Sequence, residues 1–195
     1  GFDNIKNIIE FCLSNNISDL TLFALSSENF NRPSLEIIYD IIYENFNNLI
    51  NDTLIKKNVK IKIFGIRKNL PKKIINIFNE AEKISNNNNS LNLNIAFNYG
   101  FKEEIKEVLI KYKKNYASID LDQDYNIKKL FYLNQSKDPD ILVRTGGFKR
   151  LSNFIMFNLT YTELFFTDTL WPEFSKEEFK NIIRDYYKID RKYGL

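Results

Sequence analysis

Apolar positions recur along this chain in two periods that take turns. Ile5, Ile8, Ile9, Cys12 and Leu13 keep the 3.6-residue spacing of an amphipathic helix, which predicts a first helix ending near Asn15 and Asn16. Leu20 to Ser26 then reads as a buried strand. Pro33 and Ser34 introduce a long helix through Ile37, Ile41, Ile42, Phe46 and Leu49, with Ser34 as its N-cap. Ile37 stands three residues after Ser34, so no Glu or Gln completes a capping box there. Val59 to Phe64 alternates apolar residues with lysine, the pattern of a strand with one wetter face. Pro71 suits the start of a helix through Ile74, Ile75 and Phe78. Leu91 to Phe97 predicts another strand, Lys102 to Lys113 a helix, and Asp124 to Leu133 a weaker helical stretch. Ile141 to Val143 reads as a short strand running into Arg144-Thr145-Gly146-Gly147, with Phe154 to Phe157 and Leu164 to Phe166 as two more. Ser175 caps a last helix, and Glu178 three residues on offers a capping box.

Strand–helix alternation with long connections predicts an α/β fold: a mostly parallel central sheet of about six strands flanked by helices. No repeat or linker interrupts it, so residues 1–195 read as one domain. Ligands in such sheets gather at the carboxyl ends of the strands. Two loops stand there, Ser26 to Arg32 and Arg144 to Ser152.

Composition narrows the chemistry. A formal charge of +3 with dispersed basic residues gives no nucleic-acid footprint. No apolar run approaches the roughly 18 residues that suggest a membrane span. Cys12 is the only cysteine and histidine is absent, which excludes internal disulfides, Cys/His zinc sites and imidazole acid–base chemistry. A metal would be a hard cation held by oxygen, such as Mg²⁺. The 17 Phe and 11 Tyr serve a core or wall a cavity for a hydrocarbon. The run Asn86 to Asn89 is compositional bias in a surface turn. No signal or transit peptide is visible in the residues from Gly1 onward, and the natural protein is expected to begin earlier.

The first loop, Ser26-Ser27-Glu28-Asn29-Phe30-Asn31-Arg32-Pro33, gathers hydroxyls, amides, a guanidinium and an aromatic within eight residues. It is open to two readings, a polar lead-in to the next helix or part of a site. The second, Arg144 to Asn153, has two glycines that let backbone approach a ligand, and Arg144, Lys149, Arg150 and Ser152 as donors to an anion. Its spacing matches neither a Walker A loop nor a dinucleotide fingerprint. Either it is a solvated basic turn or it holds phosphate; the apolar runs on both sides favour a phosphate or diphosphate pocket.

These residues also resemble a known family. Thr21 to Pro33 is similar to the "TLYAFSxENWxRP" block of the cis-prenyltransferases, and Arg144 to Phe154 resembles their "RTSGExRLSNF" block. Tyr161-Thr-Glu163-Leu with Leu170-Trp-Pro-Glu-Phe174, Asn94 to Gly100, and Asp190 to Gly194 also fit, in family order across nearly the whole chain. The resemblance implies Mg²⁺-dependent elongation of an allylic diphosphate, such as farnesyl diphosphate, by isopentenyl diphosphate along an apolar tunnel. It implies that Arg144, Arg150 and Ser152 bind the diphosphate of isopentenyl diphosphate, with Leu151 beside them, and that Glu163 helps hold Mg²⁺. Ser26, Ser27, Glu28, Asn29, Phe30 and Arg32 would meet substrate, with Asn29 and Arg32 in catalytic positions. An amide is a poor base at pH 7, so Asn29 is read as positioning or relaying a proton. Phe30 stands where Trp is usual. A homodimer and peripheral membrane contact are further implications; product length and compartment are not legible.

Departures accompany the likeness. An aspartate-bearing "MDGNGRWA" block and a "GHxxG", whose last glycine Gly1 matches, would come first, so the 195 residues alone are expected to lack a strand, the main Mg²⁺ ligand and activity. Phe148 replaces an acidic residue, Phe101 a small one and Ile66 an acidic one. The missing block keeps a second function in view, a non-catalytic subunit that stabilises an active partner; Arg144, Arg150, Ser152 and Glu163 favour the enzyme.

Overall fold

A computed structural model of the chain describes residues 2–30, 35–50, 56–115, 120 and 122–191. Six α-helices and five β-strands lie among them. They divide into two compact units: Ser18–Lys137 with Asn153–Ile155, and Gly1–Ile17 with Asp138–Ser152 and Met156–Leu195.

The first unit is built on three parallel strands, β1 (Asp19–Ser26), β2 (Val59–Phe64) and β3 (Leu91–Tyr99), in the order β1-β3-β2. Central β3 is buried at every position but Asn92, as a strand covered on both faces must be. Leu93 faces Leu20 on one side and Ile61 on the other. Edge strand β2 keeps the expected alternation: Val59, Ile61 and Ile63 are buried, Lys60 and Lys62 half-buried. The crossovers carry α2 (Leu35–Leu49) and α3 (Lys72–Ile84). On α3, Ile74, Ile77, Phe78 and Ala81 recur at helical spacing and are buried. Phe78 joins the layers, its ring centroid 5.2 Å from Phe46 of α2 and 5.2 Å from Phe97 of β3. Side chains from α3 and just beyond it also satisfy the outer edge of β2: Ile61 N–H donates to Ser85 Oγ at 3.0 Å and Ile63 N–H to Glu82 Oε1 at 2.8 Å. An edge closed this way cannot recruit a foreign strand there. Helix α4 (Phe101–Asn115) and the short α5 (Asp124–Lys128) follow β3.

The second unit holds α1 (Phe2–Ser14), the parallel pair β4 (Ile141–Arg144) and β5 (Glu163–Phe166), and α6 (Lys176–Tyr186). Ile8, Ile9, Phe11 and Cys12 form the buried face of α1. Phe11 packs on Phe179 of α6 at 5.0 Å, and Phe179 on Phe174 at 6.0 Å. Asn4 Nδ2 donates to Trp171 O at 2.6 Å, which fixes the start of α1. Ser175 caps α6 by accepting from Glu178 N–H at 3.1 Å, and the Glu178 carboxylate accepts from Thr167.

The α/β class and parallel pairing are as expected, with differences in detail. Instead of one sheet of about six strands, the described residues form a three-stranded and a two-stranded sheet. Phe154 to Phe157 is not a strand: a 3₁₀ turn occupies Met156–Leu159. Ser152 and Asn153 both adopt positive φ (49° and 62°), which turns the chain, and Phe154 stacks on Phe23 at 4.7 Å while Ile155 is buried. The run is apolar for packing, not for a ladder. The helix expected over Asp124 to Leu133 stops at Lys128 and continues as turns. Ser34, the expected cap of α2, lies outside the described residues.

Candidate active site

The first loop leaves the carboxyl end of β1. Ser26, paired in register with Tyr99, is the last strand residue, and Ser27–Asn29 form a single 3₁₀ turn closed by Phe30 N–H donating to Ser27 O at 3.2 Å. Ser26, Ser27, Asn29 and Phe30 are half-buried and Glu28 is exposed. Arg32 lies outside the described residues. Ser27 Oγ donates to Glu103 Oε2 at 3.2 Å, and the same oxygen accepts from Asn153 Nδ2 at 3.3 Å. Asn153 also accepts two N–H groups from the start of α4, Phe101 N–H on its carbonyl at 2.8 Å and Lys102 N–H on Oδ1 at 2.9 Å. These are donors a helix start leaves unpaired. One carboxylate and one amide thus tie the first loop to the residue that follows Ser152.

A buried polar group lies behind them. Glu104 Oε1 accepts from Tyr132 N–H at 2.7 Å, and Oε2 from the Tyr99 hydroxyl at 2.5 Å. Burial pushes the Glu104 carboxyl above the usual carboxylate range, against the two hydrogen bonds that favour its charge. Burial, reinforced by Glu104, raises the Tyr99 phenol, and burial with Glu107 raises Tyr132. Lys62 donates to the Tyr132 carbonyl, and burial lowers its pKa. This network anchors the turns at Leu130 to Leu133, all of it inside the first unit.

The second loop leaves β4. Arg144 ends the strand, and its Nη1 donates to Ser152 Oγ at 2.8 Å. Between them Gly146 and Gly147 take φ of +86° and +80°, where a side chain would be strained. Their N–H groups donate to Thr169 O and Thr167 O, both at 2.9 Å, so the loop's first half continues the β4–β5 pairing. Its second half is open: Phe148, Lys149 and Arg150 are exposed, while Leu151 and Ser152 are half-buried. The Arg150 guanidinium carbon lies 4.5 Å from the Phe148 ring centroid. Two guanidinium groups and a hydroxyl on one loop at a strand's carboxyl end are donors of the kind that suit a divalent or trivalent anion.

Glu163 is elsewhere on the same pair of strands. It opens β5 opposite Ile141, three ladder positions, about 10 Å, from the pair formed by Arg144 and Phe166. It is half-buried. Among the described residues, no three of Asp, Glu, His or Cys converge as a metal cage.

Glu103 and Asn153 were not singled out by sequence reasoning. The available signals were the Glu103-Glu104 pair after Gly100, and an amide placed between a basic loop and an apolar run.

Residues 1–194 match the family model described as "Putative undecaprenyl diphosphate synthase". The chain is 39% identical over 196 residues to an isoprenyl transferase of Aquifex aeolicus, covering all of this chain and 84% of that protein. It is 36% identical over 200 residues to the ditrans,polycis-undecaprenyl-diphosphate synthase ((2E,6E)-farnesyl-diphosphate specific) of Wigglesworthia glossinidia brevipalpis, covering all of this chain and 76% of that one. The structure superposes on that of a "probable undecaprenyl diphosphate synthase" from Campylobacter jejuni with a TM-score of 0.89 and 29% identity, covering 99% of this chain and 91% of the other.

Proposed function

Because this chain belongs to the cis-prenyltransferase family of undecaprenyl diphosphate synthases, we propose that its two loops serve cis-prenyl chain elongation, the condensation of isopentenyl diphosphate with an allylic diphosphate. It is a prenyl-transferring enzyme; the reading as a non-catalytic subunit finds no support among its relatives.

Arg144, Arg150 and Ser152 take the diphosphate of isopentenyl diphosphate, with Leu151 packed beside it. The observation that carries this is the 2.8 Å bond that aims Arg144 and Ser152 at one place beside two glycines. Guanidinium and hydroxyl donors match phosphate oxygens and hold the substrate by its inert end. Ser26, Ser27, Glu28, Asn29 and Phe30 serve the allylic partner and the reacting carbons, and Arg32, outside the described residues, is assigned to the same substrate by the resemblance alone. Ionisation of the allylic diphosphate breaks the C–O bond and leaves a carbocation. The double bond of isopentenyl diphosphate attacks it, and loss of a proton creates the new cis double bond. Asn29 orients or relays that proton, since an amide does not abstract it at pH 7. Phe30 and neighbouring aromatics exclude water from the cation.

Mg²⁺ is the expected cofactor, with Glu163 as a protein ligand. Among the described residues no three of Asp, Glu, His or Cys gather to hold a metal, so an ion here would take Glu163 as a single protein carboxylate and complete its shell with water and substrate phosphates. When bound, it supplies neutralising charge at the leaving diphosphate. A homodimer is part of the proposal, with the C-terminal part of one subunit approaching the other's site, as is peripheral membrane contact through the lipid product. Among the described residues no helix is long and apolar enough to cross a membrane.

The full-length protein, given labelled isopentenyl diphosphate, farnesyl diphosphate and Mg²⁺, is expected to build a ladder of polyprenyl diphosphates with cis double bonds. Absence of incorporation by the folded protein contradicts the proposal.

A further inference from the structure

Phe148 stands where the resemblance places an acidic residue, and in this chain its ring carries the Arg150 guanidinium at 4.5 Å. Both side chains are exposed, Phe148 to 55%, so core packing does not account for the contact. Among the described residues no ion pair engages Arg150.

A ring and a carboxylate hold an arginine in different ways. A carboxylate neutralises the guanidinium and competes with an arriving diphosphate. An aromatic face attracts the cation through its quadrupole and leaves the N–H edge and the charge available. Held so, a long side chain loses less rotamer freedom when the anion binds.

We propose that Phe148 is a positioning residue for Arg150, holding the guanidinium ready for the diphosphate of isopentenyl diphosphate without drawing on its charge. This rests on the assignment of Arg150 to that diphosphate.

Steady-state kinetics of the full-length enzyme with Phe148→Ala, Phe148→Tyr, Arg150→Ala and the Ala/Ala double variant test it. Phe148→Ala is expected to raise KM for isopentenyl diphosphate about two- to five-fold, with kcat and the allylic KM unchanged. Phe148→Tyr restores the native value, and Phe148→Ala adds nothing once Arg150 is Ala. The thermal midpoint stays native, because the ring is exposed. A native KM in Phe148→Ala alongside a raised KM in Arg150→Ala overturns the positioning role and leaves the diphosphate assignment standing. A native KM in Arg150→Ala overturns that assignment and the proposal with it. A fall in kcat or in thermal midpoint for Phe148→Ala marks the ring as structural and overturns the proposal.

Discussion

Arg144 Nη1 donates to Ser152 Oγ at 2.8 Å, so the two ends of the basic loop are bonded before any anion arrives. The bond uses one of the guanidinium's five N–H groups and leaves the rest for a ligand. On the proposed assignment, Ser152→Ala removes a donor to the diphosphate and frees Arg144. Hydrogen bonds to charged groups contribute about 1.5–3 kcal/mol, so KM for isopentenyl diphosphate should rise about tenfold or more. The allylic KM should stay within a factor of about two. Initial-rate measurements with each substrate varied in turn check this.

Gly65 joins the end of β2 to β3 at close range. A Cβ there would lie 2.0 Å from Phe97 O, and φ is +130°. Gly65→Ala must therefore shift backbone at the strands' carboxyl ends, and the expected cost is about 1–3 kcal/mol. Urea unfolding should show a lower midpoint with an unchanged slope.

Glu104 makes a prediction with a sign. Unfolded, it titrates in the ordinary carboxylate range; folded, burial holds its pKa higher. Between those two values the folded chain binds more protons, so this residue's contribution to stability falls as pH rises through the window and stays low above it. Glu104→Gln keeps an acceptor for the Tyr132 N–H and a partner for the Tyr99 hydroxyl while removing the charge. The stability of the Gln variant minus that of the native protein should rise from about pH 4 upward and then level off. Thermal melts across this range check it; a flat or falling difference counts against the assignment.

Cys12 is fully buried on α1, and burial pushes its thiol up to about 12. The thiolate is the reactive form, so a thiol reagent at pH 8 should leave the folded protein unlabelled. Labelling should appear along the same denaturant curve as loss of helical signal.

Much of the fold was legible in the sequence because its signals are local. The lysine alternation in β2 and the Ile74–Phe78 face of α3 follow from neighbours in the chain, and Ser175 with Glu178 marks the start of α6. Where long-range packing decides, the signal fails. Phe154 and Ile155 look like a strand start, but a ring from β1 and two left-handed residues make them a bend. Leu130, Phe131 and Leu133 look helical, yet Glu104 and Lys111 of α4 hold that segment as turns. The site divides the same way. The basic loop was visible as residue types, whereas Glu103 meets Asn153 from 50 positions away, a relationship that exists only once the chain is folded.

Direct binding of isopentenyl diphosphate to the full-length protein, by calorimetry without allylic substrate, tests the central claim. The account predicts saturable binding that weakens at least about 100-fold in the Arg144→Ala, Arg150→Ala double variant, two charge-assisted contacts being lost. Native affinity in a folded double variant would contradict it and move the diphosphate away from this loop.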